Sequence, residues 1–241
     1  MSKKIFFACA IAALALAQGA KAQNLQVFYD FGEGRSYVTT TFEMFKADKW
    51  GDTFWFIDHY YNSTDDNYKA PGVSSAINQS YFEIERGINF WQDTNLKDLS
   101  AHIEYDGSTW GAGIWCFGAK YFLHSADFSK TFTLALMYDL HRGLGTADIP
   151  IKFSGVWGLN DIFGVKGLIF KGFIDIWGNN TVWGLNDETK FSILTEPQLW
   201  YNLGDTFDGH LDVGTEIELS VNFAGNKGFM VNPCAGIRWT F

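Results

Sequence analysis

The chain has 241 residues, with 27 acidic against 18 basic side chains and a net charge of −9 at pH 7. That balance excludes a basic nucleic-acid footprint, so no nucleic-acid partner is expected. Aromatic residues make up 18% of the chain, glycine is abundant and proline scarce. With no helix-period segment after residue 22, this composition points to an all-β protein.

Residues 1–22 read as a secretory signal peptide. Lys3 and Lys4 open it, Ile5 to Ala17 is its apolar run, and Ala20-Lys21-Ala22 is an A-x-A cleavage site. The alternative is an N-terminal anchor helix, but the run is short for one. Cys9 leaves with the signal, and the mature chain, 23–241, becomes more negative. Cys116 and Cys234 remain and are expected to be free, packed thiols.

Twelve strand candidates follow. They are Leu25 to Phe31, Tyr37 to Ala47, Thr53 to Tyr61, Ser80 to Phe90, Leu99 to Asp106 and Ala112 to Leu123. Then come Thr131 to Leu140, Ile149 to Trp157, Lys166 to Trp177, Thr189 to Leu203, His210 to Phe223 and Phe229 to Phe241. Turn chemistry separates them, including K-A-D-K-W-G-D, G-L-N-D, W-G-N-N and N-L-G-D.

The last two strands show the period most clearly. Leu211, Val213, Thr215, Ile217, Leu219, Val221 and Phe223 share one face; Asp212, Glu216, Glu218 and their neighbours share the other. In the closing strand, Phe229, Val231, Ile237, Trp239 and Phe241 form an apolar face with aromatics at both ends. Side chains alternate across a strand. Strands of this length, apolar outward with interfacial aromatics, cross lipid. Together with the export signal, the expectation is a transmembrane antiparallel β-barrel of about 12 strands in the bacterial outer membrane. An even strand number puts both termini in the periplasm. The longest connection, Asn62 to Gln79, then falls outside, facing short periplasmic turns.

The non-lipid face becomes a lumen list. It runs Phe28, Asp30, Tyr37, Glu43, Phe45, Tyr81, Glu83, Glu85, His102, Glu104, Asp106, Lys120, Asp139, Lys152, Lys171, Asp175, Glu196, Gln198, Trp200, Asp212, Glu216, Glu218 and Arg238. In the third strand either Phe54, Phe56, Asp58 and Tyr60 face in, or Trp55, Ile57, His59 and Tyr61 do. The first choice keeps Asp58 off lipid. An acidic wall favours cations and neutral polar solutes, and aromatic faces beside polar groups suit flat or sugar-like solutes. Alternatively, inward charges pair and plug a closed structural or adhesion barrel that transports nothing. No G-x-S-x-G, H-E-x-x-H or C-x-x-C occurs, so no catalytic residue, metal or cofactor is expected. Glu83 with Glu85, and Glu216 with Glu218, read as a solvated wall rather than as metal pairs.

Residues 41–58, T-F-E-M-F-K-A-D-K-W-G-D-T-F-W-F-I-D, then Y-F-E-I-E-R at 81–86 and L-K-D-L-S at 96–100, carry a family likeness. The chain resembles the nucleoside-specific channel-forming outer-membrane proteins, the Tsx-like porins, and a related outer-membrane domain family of unknown function. The likeness is carried by residues 37–105. It implies a monomeric twelve-stranded barrel passing nucleosides held between aromatic and polar groups, and it points to Glu43, Phe45, Tyr81, Glu83 and Glu85. With the lumen list it gives the expected solute-binding set: Glu43, Phe45, Phe54, Asp58, Tyr81, Glu83, Glu85, Glu104, Lys171, Trp200, Glu216 and Arg238. The expected partners are outer-membrane lipid and a small polar solute, with nucleosides leading.

Overall fold

The computed structural model describes residues 23–62, 77–143 and 145–241. The segment read as a signal peptide, with Cys9 and its cleavage site, lies outside the described residues, as does most of the connection after the third strand.

The strands are β1 (Gln23–Asp30), β2 (Tyr37–Asp48), β3 (Gly51–Tyr61), β4 (Ile77–Ile88), β5 (Leu99–Ser108), β6 (Ala112–His124) and β7 (Lys130–Gly143). They continue with β8 (Ile151–Leu159), β9 (Leu168–Gly184), β10 (Asp187–Thr195), β11 (Gln198–Asn202), β12 (Leu211–Phe223) and β13 (Asn226–Thr240). All pairings are antiparallel, and β13 pairs with β1, Gln26 opposite Arg238, so the sheet closes on itself. Segments β10 and β11 both lie between β9 and β12 and are two halves of one barrel strand. The ring therefore has twelve strands, and no sheet edge is left unpaired.

The break within that strand falls at Glu196-Pro197, inside a segment whose pattern reads as continuous. Proline has no N–H to give to the ladder. The neighbours keep the wall closed: the Glu196 N–H donates to the Phe173 carbonyl at 3.1 Å, and the Ile217 N–H donates to the Pro197 carbonyl at 3.1 Å. Gly172 faces the break, where a Cβ would lie 2.8 Å from Trp157 Cζ2 and 3.0 Å from Pro197 Cα.

Burial is inverted relative to a water-soluble protein. Leu136 is 62% exposed, and Ile84, Phe117, Tyr138, Val231 and Ile237 are also exposed, all on the outer wall. The buried side chains include Asp30, Glu104, Asp106, Asp139, Lys152, Asp175, Asp212 and Arg238. Only a solvent of hydrocarbon makes this arrangement stable, because the exterior then meets lipid and the closed ladder leaves no backbone polar group to it. Among the described residues no helix is long and apolar enough to cross a membrane; the strands make the crossing.

Two expectations change. The W-G-N-N stretch, read as a turn, runs on as strand, and β9 extends to Gly184 before turning at 185–186. The connections on the side of the termini are not uniformly short: 89–98, 160–167 and 203–210 are longer than 109–111, 185–186 or 224–225 at the other end. The last two of the longer ones each hold a 3₁₀ turn, Ile162–Gly164 and Gly204–Phe207, flanked by left-handed Asp161 and Asp208. Both cysteines are buried and unbridged.

Candidate functional site: a charged lumen

Every residue of the lumen list falls on the inward parity of its strand, and in β3 the inward set is Phe54, Phe56, Asp58 and Tyr60. A cavity of about 410 Å³ runs inside the barrel, within the range of small-molecule sites. Along β3 it is lined from Asp52 to Tyr60, almost the whole strand, and along β2 from Thr39 to Phe45.

Of the twelve expected solute-binding residues, Glu43, Phe45, Phe54, Asp58, Glu83, Glu85, Glu104, Lys171 and Glu216 line this cavity. The other three support the wall. The Tyr81 hydroxyl donates to Glu83 Oε1 at 2.5 Å. Trp200 is fully buried: Phe28 packs on it with ring centroids 5.5 Å apart, and the Arg238 guanidinium covers its ring at 4.8 Å. The indole N–H donates to Gln198 Oε1 at 2.8 Å, and Arg238 Nε donates to Asp212 Oδ2 at 2.8 Å. Room for this stack comes from Gly214 and Gly236. A Cβ at Gly214 would meet Trp200 Cδ2 at 2.8 Å, and one at Gly236 would meet Phe28 Cδ1 at 2.6 Å. Trp200 therefore offers no face to a solute.

Charge is distributed in several paired groups along the wall. On the β5–β9 wall, Lys152 Nζ donates to Glu104 Oε1 at 2.6 Å and lies 3.4 Å from Asp106 and 3.3 Å from Asp175. His102 Nε2 is 2.9 Å from Glu104 Oε2. On the β1–β2 and β12–β13 wall, Asn24 Nδ2 donates to Glu43 Oε1 at 2.9 Å, and Lys171 approaches the same carboxylate at 3.4 Å. Lys120 pairs with Asp52 near the end bearing the termini. At the opposite end Arg35, from the β1–β2 connection, turns inward to bind Asp30 at 2.8 Å and Glu218 at 2.7 Å. Nothing in the strand rhythm announces Arg35, because it sits in a turn; the preceding F-G-E-G was its only signal. Asn24, Gln26, Thr41 and Asp52 also belong to the wall: Asn24 and Asp52 precede the predicted strands at Leu25 and Thr53, and Gln26 and Thr41 carry no charge to single them out.

The aromatic residues have a definite placement. With twelve strands in the ring, β3 and β9 stand on opposite sides, and so do β4–β5 and β11–β12. Phe54 and Phe56 thus face the side of Phe173, while Glu83, Glu85 and Glu104 face the side of Gln198 and Glu216. Aromatic rings stand on opposite sides of one cavity, with Asp58 beside them on β3 and Lys171 and Asp175 beside them on β9.

On the outer surface, His59 Nδ1 lies 2.8 Å from Ser80 Oγ, a directly opposed pair of β3 and β4. Among the described residues no acid hydrogen-bonds the ring.

No curated protein matches the chain. Among solved structures, the NanC porin matches with a TM-score of 0.57 and 9% identity, covering 91% of this chain and 100% of that one. OccAB2 of Acinetobacter baumannii gives 0.42 with 10% identity over 91% of this chain and 96% of its own. Outer membrane phospholipase A from Escherichia coli gives 0.43 with 10% identity over 91% and 90%. The likeness to NanC is one of fold. The protein is an outer-membrane barrel. A family model described as a domain of unknown function, DUF5020, matches residues 22–241. That span takes in every strand of the ring, and the chain belongs to the DUF5020 family.

Proposed function

We propose that the protein is a passive outer-membrane channel for small polar solutes, with nucleosides first among them. The observation that carries this reading is the cavity that follows β3 from Asp52 to Tyr60, nearly the full span of the strand. A barrel plugged by paired charges would have filled that space with side chains. A flat base fits between the aromatic walls of Phe54, Phe56 and Phe173, and the carboxylates of Glu43, Glu83 and Glu216 accept from ring N–H groups and sugar hydroxyls. In this reading residues 1–22 are removed on export, the termini face the periplasm, and a single barrel acts as a monomer.

The test is permeation. Liposomes holding the protein should swell in adenosine or uridine faster than in a disaccharide. In planar bilayers the single-channel current should be partly blocked by millimolar nucleoside. Inserted, folded protein that never conducts would establish the closed barrel instead. Equal swelling with nucleosides, amino acids and sugars would leave a general pore. Phe56→Ala should weaken nucleoside block about tenfold, since one lost stacking contact is worth about 1–3 kcal/mol.

A further inference from the structure

One row of the lumen wall is built against ordinary sheet stability. Glu85 lies directly opposite Glu104, Glu104 opposite Cys116, and Cys116 opposite Asp139, across β4, β5, β6 and β7. Asp106, two residues along β5, faces Glu83. Like charges directly opposite each other on a sheet are destabilising. Lys152 ion-pairs with Glu104, Asp106 and Asp175, and His102 Nε2 adds a contact to Glu104 at 2.9 Å. These contacts do not satisfy them all. Asp139 is only 2% exposed, and apart from the neighbouring Cys116 thiol neither of its carboxylate oxygens has a hydrogen-bond partner. Asp106 Oδ1 and Asp175 Oδ1 are likewise buried and unpartnered. Buried carboxylate oxygens without donors are costly, and a cation relieves that cost.

We infer that Glu104, Asp106 and Cys116, with Asp139 beside them, form a binding site for a borderline-soft divalent metal ion of the zinc class. One donor atom from each of the first three lies within 4.8 Å of the others, and Cys116 Sγ is 3.9 Å from Asp106 Oδ2. A tetrahedral zinc site holds its donors about 3.5 Å apart, given metal–oxygen and metal–sulfur bonds of about 2.1 and 2.3 Å, so the set closes once Lys152 Nζ, 2.6 Å from Glu104 Oε1 and 3.4 Å from Asp106 Oδ2, swings off them towards Asp175. The thiol selects the metal: a site of oxygens alone would suit calcium or magnesium, whereas sulfur with carboxylates suits zinc and its neighbours. As the metal–sulfur bond forms, the Cys116 S–H bond breaks and its proton leaves to bulk water. No electron is transferred. The ion enters through the lumen, which Glu104 and Lys152 line. The site is independent of nucleoside passage, and a barrel that conducts nothing would still hold it.

Cobalt(II) chloride, added to the purified full-length barrel in detergent, is the probe. The expected result is a near-ultraviolet thiolate-to-cobalt absorption band, saturating at one ion per chain and abolished by zinc. Cys234→Ser should keep the band, Cys116→Ser should lose it, and Asp106→Asn should weaken cobalt binding at least tenfold. A wild-type protein with no thiolate band, or a band that follows Cys234, overturns the inference. Should Cys116→Ser fail to fold, Asp106→Asn decides: cobalt affinity unchanged from the wild type refutes the site.

Discussion

Lys152 touches three carboxylates on two strands, reaching from β8 past β7 and β6 to β5 and across to the adjacent β9. Removing the cation leaves those acids buried and uncompensated, which costs far more than the pair contributes over an apolar replacement. Lys152→Met should therefore destabilise the barrel by about 3 kcal/mol, read as a lower urea midpoint in lipid vesicles. Adding Glu104→Gln should return part of the loss. Asp127 lies in a turn outside the membrane, and its behaviour is simpler. Oδ1 accepts from the Ser125 hydroxyl at 2.6 Å, from the Ser129 N–H at 3.1 Å and from the Ser129 hydroxyl at 2.8 Å. These bonds favour the ionised form and lower its pKa to about 2. A depressed acid stabilises the fold at pH values above the unfolded pKa, near 4, and that contribution fades as pH falls towards 2. Protection of the Ser129 amide, its exchange relative to the intrinsic rate at the same pH, should hold down to about pH 3 and fall below it. In Asp127→Ala that protection should be lost at every pH.

At the scale of the strand, the break at Glu196-Pro197 depends on a residue from the neighbouring strand. Gly172 leaves the space into which the bulged backbone and the Trp157 ring fit. Gly172→Ala should force them apart and cost about 1–3 kcal/mol, seen as a lower melting temperature of the folded band in semi-native electrophoresis. Strand identity was legible from the period of two alone. So was the inward phase, because a misphased strand would have placed Asp58, Glu104 or Glu216 in hydrocarbon. The break was signalled only by Pro197, since hydrophobic alternation runs unbroken through it. The end of β9 was illegible for a related reason: W-G-N-N carries turn residues, yet Trp177 and Gly178 pair with Ser192 and Phe191 and the strand runs on to Gly184.

Across the whole molecule, acids outnumber bases on the inner wall, and the low-dielectric surroundings keep that imbalance from being screened away. Potassium should permeate several-fold more readily than chloride in dilute salt, measured as a reversal potential across a salt gradient. The preference should shrink near 1 M, where the Debye length is about 3 Å. Which solutes the proposed channel tells apart lies beyond what a linear pattern records. Parity says which residues point inward but not which reach the open space, and so Glu83 and Trp200 looked alike in the sequence. Glu83 borders the cavity, whereas Trp200 is sealed behind Arg238 and Phe28. Arg35 escaped for the opposite reason, as a turn residue that the fold bends into the mouth.

The stack of Phe28, Trp200 and Arg238 draws its members from β1, β11 and β13. It straddles the seam where the first and last strands meet, so it cannot exist in a half-assembled ribbon. Trp200 is thus an optical reporter of the final stitch during biogenesis: its emission should change only when the two chain ends zip together, whereas Trp115 and Trp239 on the outer wall should respond as soon as the nascent sheet meets lipid.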